Sequence, residues 1–142
     1  ATVGDLRDGG IVFWVDGNGG GKVCALENAP TSNWSDAISL FNSHSYTNSD
    51  TGTGVYNDWY LPSKDELQLM YANLQRFGCS TNTPSDTDSG LCGTRKGGFS
   101  LEWYWSSTGY VNIDAWGQHF VNGDQSYNDK ASTNRVRAVR AF

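Results

Sequence analysis

Positive charge is scarce in this chain: ten Lys and Arg stand against fifteen Asp and Glu, for a formal net charge of −5. A general nucleic-acid binder needs a basic footprint, and none is present. Histidine occurs only at His44, in a polar stretch, and His119, in a strand pattern. No nucleophile elbow accompanies either of them, so the expectation is a protein that is not an enzyme. No apolar run approaches the roughly 20 residues of a membrane-spanning helix, and no signal peptide is visible. No Cys-x-x-Cys occurs and no His neighbours a Cys in sequence, which argues against zinc. An initiator Met is also missing. The chain starts at Ala1, so a processed protein or an excised domain is expected, with any secretion signal upstream. No internal repeat and no linker divides the sequence, and one domain over 1–142 follows.

Aromatic residues, by contrast, are plentiful, with six Trp, seven Tyr and six Phe. Ser, Thr, Asn and Gly are abundant as well. That mixture fits short strands joined by long polar loops, in a secreted or surface-exposed protein. Cys79 and Cys92 bracket a loop of small polar residues. A disulfide closing such a loop would stabilise the fold by about 3 kcal/mol, acting through the unfolded chain. Cys24 lies in an apolar strand pattern and reads as a buried free thiol. The competing reading is that all three are reduced packing residues of a cytosolic protein.

Local patterns define the elements. Residues 10–15 and 22–27 read as strands joined by the glycine-rich tip Asp16 to Gly21. That tip contains Gly-x-Gly but precedes no helix, so it is a hairpin turn and not a dinucleotide site. Residues 30–33 are a turn cluster. Trp34, Ala37, Ile38 and Phe41 recur at helical spacing and predict a short amphipathic helix of about ten residues. Residues 43–57 read as a loop. In Asp58-Trp59-Tyr60-Leu61-Pro62-Ser63-Lys64-Asp65-Glu66-Leu67, Pro62 ends a strand and Ser63 with Glu66 forms a capping box. Asp65 and Glu66 suit the helix dipole. Leu67, Met70, Tyr71 and Leu74 then make one apolar face of a helix running to Phe77, with Gly78 as the stop. Residues 79–100 form a second long loop of a length that is often functional. Residues 102–107 are an aromatic strand. Residues 115–121 and 125–129 form a hairpin about Asn122-Gly123, and 135–142 closes the chain as one strand. The class is α+β: two helices packed on a mostly antiparallel twisted sheet, with long loops.

Three segments carry a resemblance: Asp58 to Leu67, Tyr104-Trp105-Ser106-Ser107, and Val136-Arg137-Ala138-Val139-Arg140. Together with the opening Gly9-Gly10-Ile11-Val12-Phe13, the chain resembles the C-terminal domain of Lcl, the Legionella collagen-like adhesins, from about Gly4 to Phe142. That resemblance implies a C-type-lectin-like fold and a ligand-binding domain at the bacterial cell surface or outside the cell. It further implies binding of sulfated glycosaminoglycans by a homotrimer, with no cofactor. The alternative kept beside it is a protein-binding domain or trimerisation cap of a collagen-like stalk, without a glycan ligand.

A sulfated polymer is recognised through cations, and six of them lie late in the chain: Arg95, Lys96, Lys130, Arg135, Arg137 and Arg140. On one unbroken strand Arg135 and Arg137 share a side and Arg140 takes the other. The expected ligand-facing set is Arg95, Lys96, Lys130, Arg135 and Arg137, with Tyr127 as a stacking ring. For Arg137 and Arg140, pairing inside the sheet is the competing role. Tyr110 and Trp116 are further candidates to stack on sugars, whereas Trp59, Trp103 and Trp105 are expected in the core. Asp86-x-Asp88-x-Gly90 faintly resembles a calcium loop, but the remaining EF-hand ligands are missing. The related formylglycine-generating fold catalyses with a cysteine pair, and Cys79 and Cys92 do not match its motif.

Overall fold

The computed structural model describes residues 1–41, 56–79 and 94–142. Two sheets and two short helices make an α+β fold. The first sheet holds β1 (Leu6–Arg7), β2 (Gly10–Val15), β3 (Gly21–Cys24) and β9 (Val139–Ala141), in the order β1-β2-β3-β9. The second holds β4 (Ala29–Ser32), β5 (Trp103–Val111), β6 (Asp114–His119), β7 (Gln125–Asp129) and β8 (Asn134–Val136), in the order β4-β8-β5-β6-β7. Every pairing is antiparallel except β5 with β8, where Tyr104 aligns with Arg135. Helix α1 is Trp34–Leu40 and α2 is Lys64–Met70.

Both helices start where their caps dictate. Asn33 Oδ1 accepts the Asp36 backbone N–H at 2.9 Å. At α2 the predicted capping box is complete: Ser63 Oγ accepts from Glu66 N at 3.1 Å, and Glu66 Oε1 accepts from Ser63 N at 2.9 Å. Helix α2 does not run on to Phe77 as one α-helix. It widens into a π-helical turn over Tyr71–Gln75, with Arg76 N donating to Tyr71 O. The wider turn brings Tyr71, Leu74, Gln75 and Arg76 inside together. Gln75 meets its burial requirement by donating to Phe120 O at 2.8 Å.

Four other expectations change. Residues 29–32 are an edge strand, a position that tolerates Pro30. The aromatic strand continues to Val111 and turns back through Asn112 and Ile113 into β6. The β6–β7 connection is longer than two residues: His119 N donates to Asp124 O, and Gly123 N to His119 O. The closing segment, predicted as one strand, is two. β8 pairs with β4 in one sheet and β9 with β3 in the other, and the chain crosses between them at Arg137 and Ala138. The β3-to-β4 connection crosses at the same place, where Ala25 N donates to Ala138 O at 2.9 Å.

Two buried clusters fill the space. Phe13, Leu67, Met70, Leu74, Tyr104, Phe120 and Val139 pack under α2. Val12, Val23, Ala37, Trp59, Trp105, Ala115 and Val136 pack under α1. Close backbone approach fixes Gly10, since a Cβ there would lie 2.1 Å from Cys24 O. The Cys24 thiol is free and buried, and burial pushes its pKa up to about 11. Cys79 is disulfide-bonded. Its expected partner, Cys92, lies outside the described residues, as do the 43–55 part of the first predicted loop and the Asp86 to Gly90 segment.

Carboxylates tie the motif to the sheets. Glu66 accepts from Lys22 Nζ at 2.7 Å and from Tyr60 Oη at 2.6 Å. Burial opposes its charge, but the hydrogen bonds from Lys22, the Ser63 backbone and Tyr60 hold its carboxyl below the usual range. Asp58 is also lowered, chiefly by its hydrogen bond from Arg140 at 2.7 Å. Folded values below the unfolded ones mean that both groups stabilise the fold at neutral pH. That contribution disappears as the pH falls through the folded values. The melting temperature should therefore drop on acidification below about pH 4. Calorimetry of Asp58→Asn and Glu66→Gln should show a shallower acid slope than the wild type.

Candidate functional site

Three arginines close the sequence, and the structure gives them different work. Arg137 is 1% exposed. Its Nε and Nη2 donate to Asn28 Oδ1 at 3.1 and 2.9 Å, and Nη2 also donates to Gly98 O at 3.2 Å. Its Nη1 donates to Ala25 O at 2.8 Å and Gly97 O at 2.6 Å. All five guanidinium donors are consumed, and the Phe99 ring lies 4.4 Å away. Positive φ at Gly97 (92°) and Gly98 (63°) lets the backbone turn both carbonyls toward it. Arg137 therefore leaves the ligand-facing set, because no donor remains for a ligand. Arg140 is paired with Asp58 and also donates to Asp8 O at 2.7 Å.

Arg135 behaves oppositely. The crossing at Arg137 interrupts the strand, so the two residues do not share an environment as unbroken alternation predicts. Val136 is fully buried, and Arg135, on β8, stays half-exposed. It faces a groove of about 240 Å³ lined by Thr31, Glu102, Trp103, Thr133, Asn134 and Arg135. Trp103 was expected in the core. It is half-buried instead, with His119 in edge contact at 5.1 Å.

Arg95 is exposed beside Gln75, Gly98 and Phe99, and Lys96 lays its ammonium 4.8 Å from the Phe77 ring centre. Phe99, which lines the Arg95 groove, packs on Tyr104, the strand partner of Arg135. Lys130 lies at the far end of β5. Its Nζ donates to Asn112 O at 3.1 Å and lies 4.5 Å over the Trp34 ring. On β6 the partners of Tyr104 and Val111 are Gln118 and Asp114, four residues or about 14 Å apart. Arg95 and Arg135 thus line separate grooves, Lys96 lies against Phe77, and Lys130 lies toward the β5–β6 hairpin.

Tyr127 belongs to an aromatic cluster near that far end. It stacks on Tyr110 at 4.2 Å with rings 13° apart, and both stand edgewise to Trp116 at 5.8 and 5.6 Å. Tyr110 and Tyr127 remain 49% and 47% exposed. Lys64 lies 4.0 Å over Trp116. In the sequence Lys64 was legible only as a helix residue, and its place over a ring 52 positions later has no local signal. Thr31, Glu102, Thr133 and Asn134 around Arg135 were missed for the same reason, since three separate stretches of the chain build the groove.

Among the described residues no group of His, Cys, Asp or Glu could hold a metal ion, and no helix is long and apolar enough to cross a membrane. A family model described as the Lcl C-terminal domain matches residues 2–140. No curated protein matches the chain.

Interior and surface arginines should separate cleanly on substitution. Arg137→Met strands several buried carbonyls, each costing about 1–3 kcal/mol, and should destabilise by at least about 3 kcal/mol. Arg95→Met and Arg135→Met should fall within about 0.5 kcal/mol of the wild type. Urea unfolding midpoints check both.

Proposed function

The chain belongs to the Lcl C-terminal domain family, and on that footing we propose an adhesin-related, surface-exposed domain. Its ligand on this reading is a sulfated glycosaminoglycan or similar anionic polysaccharide, bound as a homotrimer on a C-type-lectin-like scaffold. One observation carries the ligand class. Arg95, Lys96, Lys130 and Arg135 have no carboxylate partner among the described residues, whereas Arg7, Lys22 and Arg140 are each ion-paired. Arg137 also lacks a carboxylate, but it is buried with every donor used, so these four are the unpaired cations of the expected set that reach the surface.

The net charge of −5 repels a polyanion at long range. At physiological ionic strength that repulsion is screened beyond about 8 Å, so contact geometry decides. A long polymer reaches both ends of the sheet, and a trimer presents each cation three times, which raises avidity without any single strong site. Heparin chromatography with rising salt tests the reading. Wild type should be retained at low salt. Arg95→Ala, Lys96→Ala and Arg135→Ala combined should elute much earlier, each cation being worth up to about 1 kcal/mol, with a smaller effect for Lys130→Ala. A wild type that flows through at low salt overturns it.

A second reading, a protein-binding or trimerising cap, has its own support. Val111 and Ile113, at the tip of the β5–β6 hairpin, are 50% and 65% exposed beside Tyr110, an apolar surface of the kind protein contacts use. Sedimentation velocity checks it. A trimer that Ile113→Asp splits, with heparin retention intact in each protomer, would favour this role. A wild-type monomer would end the trimerising role.

A further inference from the structure

We infer that the groove at Arg135 is a binding site for a single hexose unit carrying one oxyanion, either a ring carboxylate or a sulfate. This deepens the polyanion reading and rests on it for the polymer, but it stands on a different observation. Arg135 and Glu102 line the same groove with opposite charges and form no ion pair with one another. Two such groups left apart suit a ligand that is anionic at one end and a hydrogen-bond donor at the other.

The rest of the lining fits a sugar. Arginine's planar fork matches an oxyanion in two-pronged fashion. A carboxylate only accepts, so Glu102 takes hydroxyl protons. Thr31 and Thr133 supply hydroxyls that donate or accept, and Asn134 adds an amide. The Asn134 amide nitrogen is buried and has no hydrogen-bond partner. Such a group costs free energy in the empty protein, and a small side-chain adjustment toward a ligand oxygen would recover it. Trp103 gives the groove an apolar wall for the CH face of a pyranose ring. The volume of about 240 Å³ equals about eight waters at ~30 Å³ each, which holds one sugar ring and does not enclose two. A bare inorganic anion is a poorer fit, because Glu102 faces the same space.

The test is a titration of ¹⁵N-labelled protein with sodium glucuronate, glucose 6-sulfate and glucose, following the indole N–H resonance of Trp103. At least one charged sugar should move that resonance at millimolar concentration, with glucose at least ten-fold weaker. Movement by glucuronate alone, by the sulfate alone or by both supports the site and identifies the oxyanion. Glu102→Gln decides between recognition and plain charge attraction. It removes a negative charge, so simple attraction makes the charged sugar bind more tightly, whereas a groove that uses both carboxylate oxygens as hydroxyl acceptors has one exchanged for an NH2 donor and binds at least five-fold more weakly. Thr133→Val, with no charge change, should also weaken binding, and Arg135→Gln should abolish it. A Trp103 signal unmoved by both charged sugars overturns the inference, and so does tighter or unchanged binding in Glu102→Gln. Heparin retention with an unmoved Trp103 sinks the groove alone. A Trp103 shift without heparin retention sinks the polymer reading alone.

Discussion

The guanidinium of Arg137 holds two sheets and a turn at one point. Two strands leave one sheet for the other here, at residues 25–28 and at Arg137 and Ala138. A chain that changes sheets gives up its ladder partners, and its carbonyls become buried acceptors that need donors. Arg137 supplies them, bonding Ala25 O, Asn28 Oδ1 and the carbonyls of Gly97 and Gly98. No carboxylate takes part. The charge is distributed over neutral oxygens and an aromatic face, which avoids the cost of desolvating a second ion. The 97–98 turn is anchored by the same side chain, so the position of neighbouring Arg95 and Lys96 depends on it too.

A second hub sits at the start of α2. Glu66 was readable as a capping residue from Ser63-x-x-Glu66 alone, and the cap is present. Its other oxygen takes Lys22 from β3 and the Tyr60 hydroxyl from the strand-like segment before Pro62. One carboxylate therefore starts the helix and docks it to the first sheet. This explains why a motif that looked like local helix chemistry also determines where the helix lies.

What the sequence revealed was local. Capping at Ser63, the β2–β3 hairpin and the aromatic run at Trp103–Trp105 follow from neighbouring residues, and each is present. The failures share a cause, which is that tertiary context decided them. Nothing in Arg135 to Phe142 marks a break at Arg137, because Val-Arg-Ala-Val-Arg alternates as well as any strand. The π-helical turn at Tyr71–Gln75 is likewise invisible to helical spacing, since it exists to bring Gln75 to Phe120 O. Asn122-Gly123 carries a strong turn signal, yet the loop around it is longer because Phe120 is drawn into the core, fully buried. The groove around Arg135 is assembled by the β4-β8-β5 strand order, and no window of sequence contains it.

The same crossing also accounts for how an acidic domain keeps a half-exposed arginine beside two interior ones. Arg137 must be interior because the crossing needs donors, and Arg140 must be paired because β9 lies against Asp58 and Asp8. Arg135 precedes the crossing by two residues. Val136 between them is fully buried in the core beneath α1, which turns the Arg135 side chain outward beside Glu102 and Trp103. Three arginines within six positions thus divide between scaffold and surface according to which sheet each adjoins. The division between interior and surface charge at this end of the chain is therefore set where the chain crosses between the sheets.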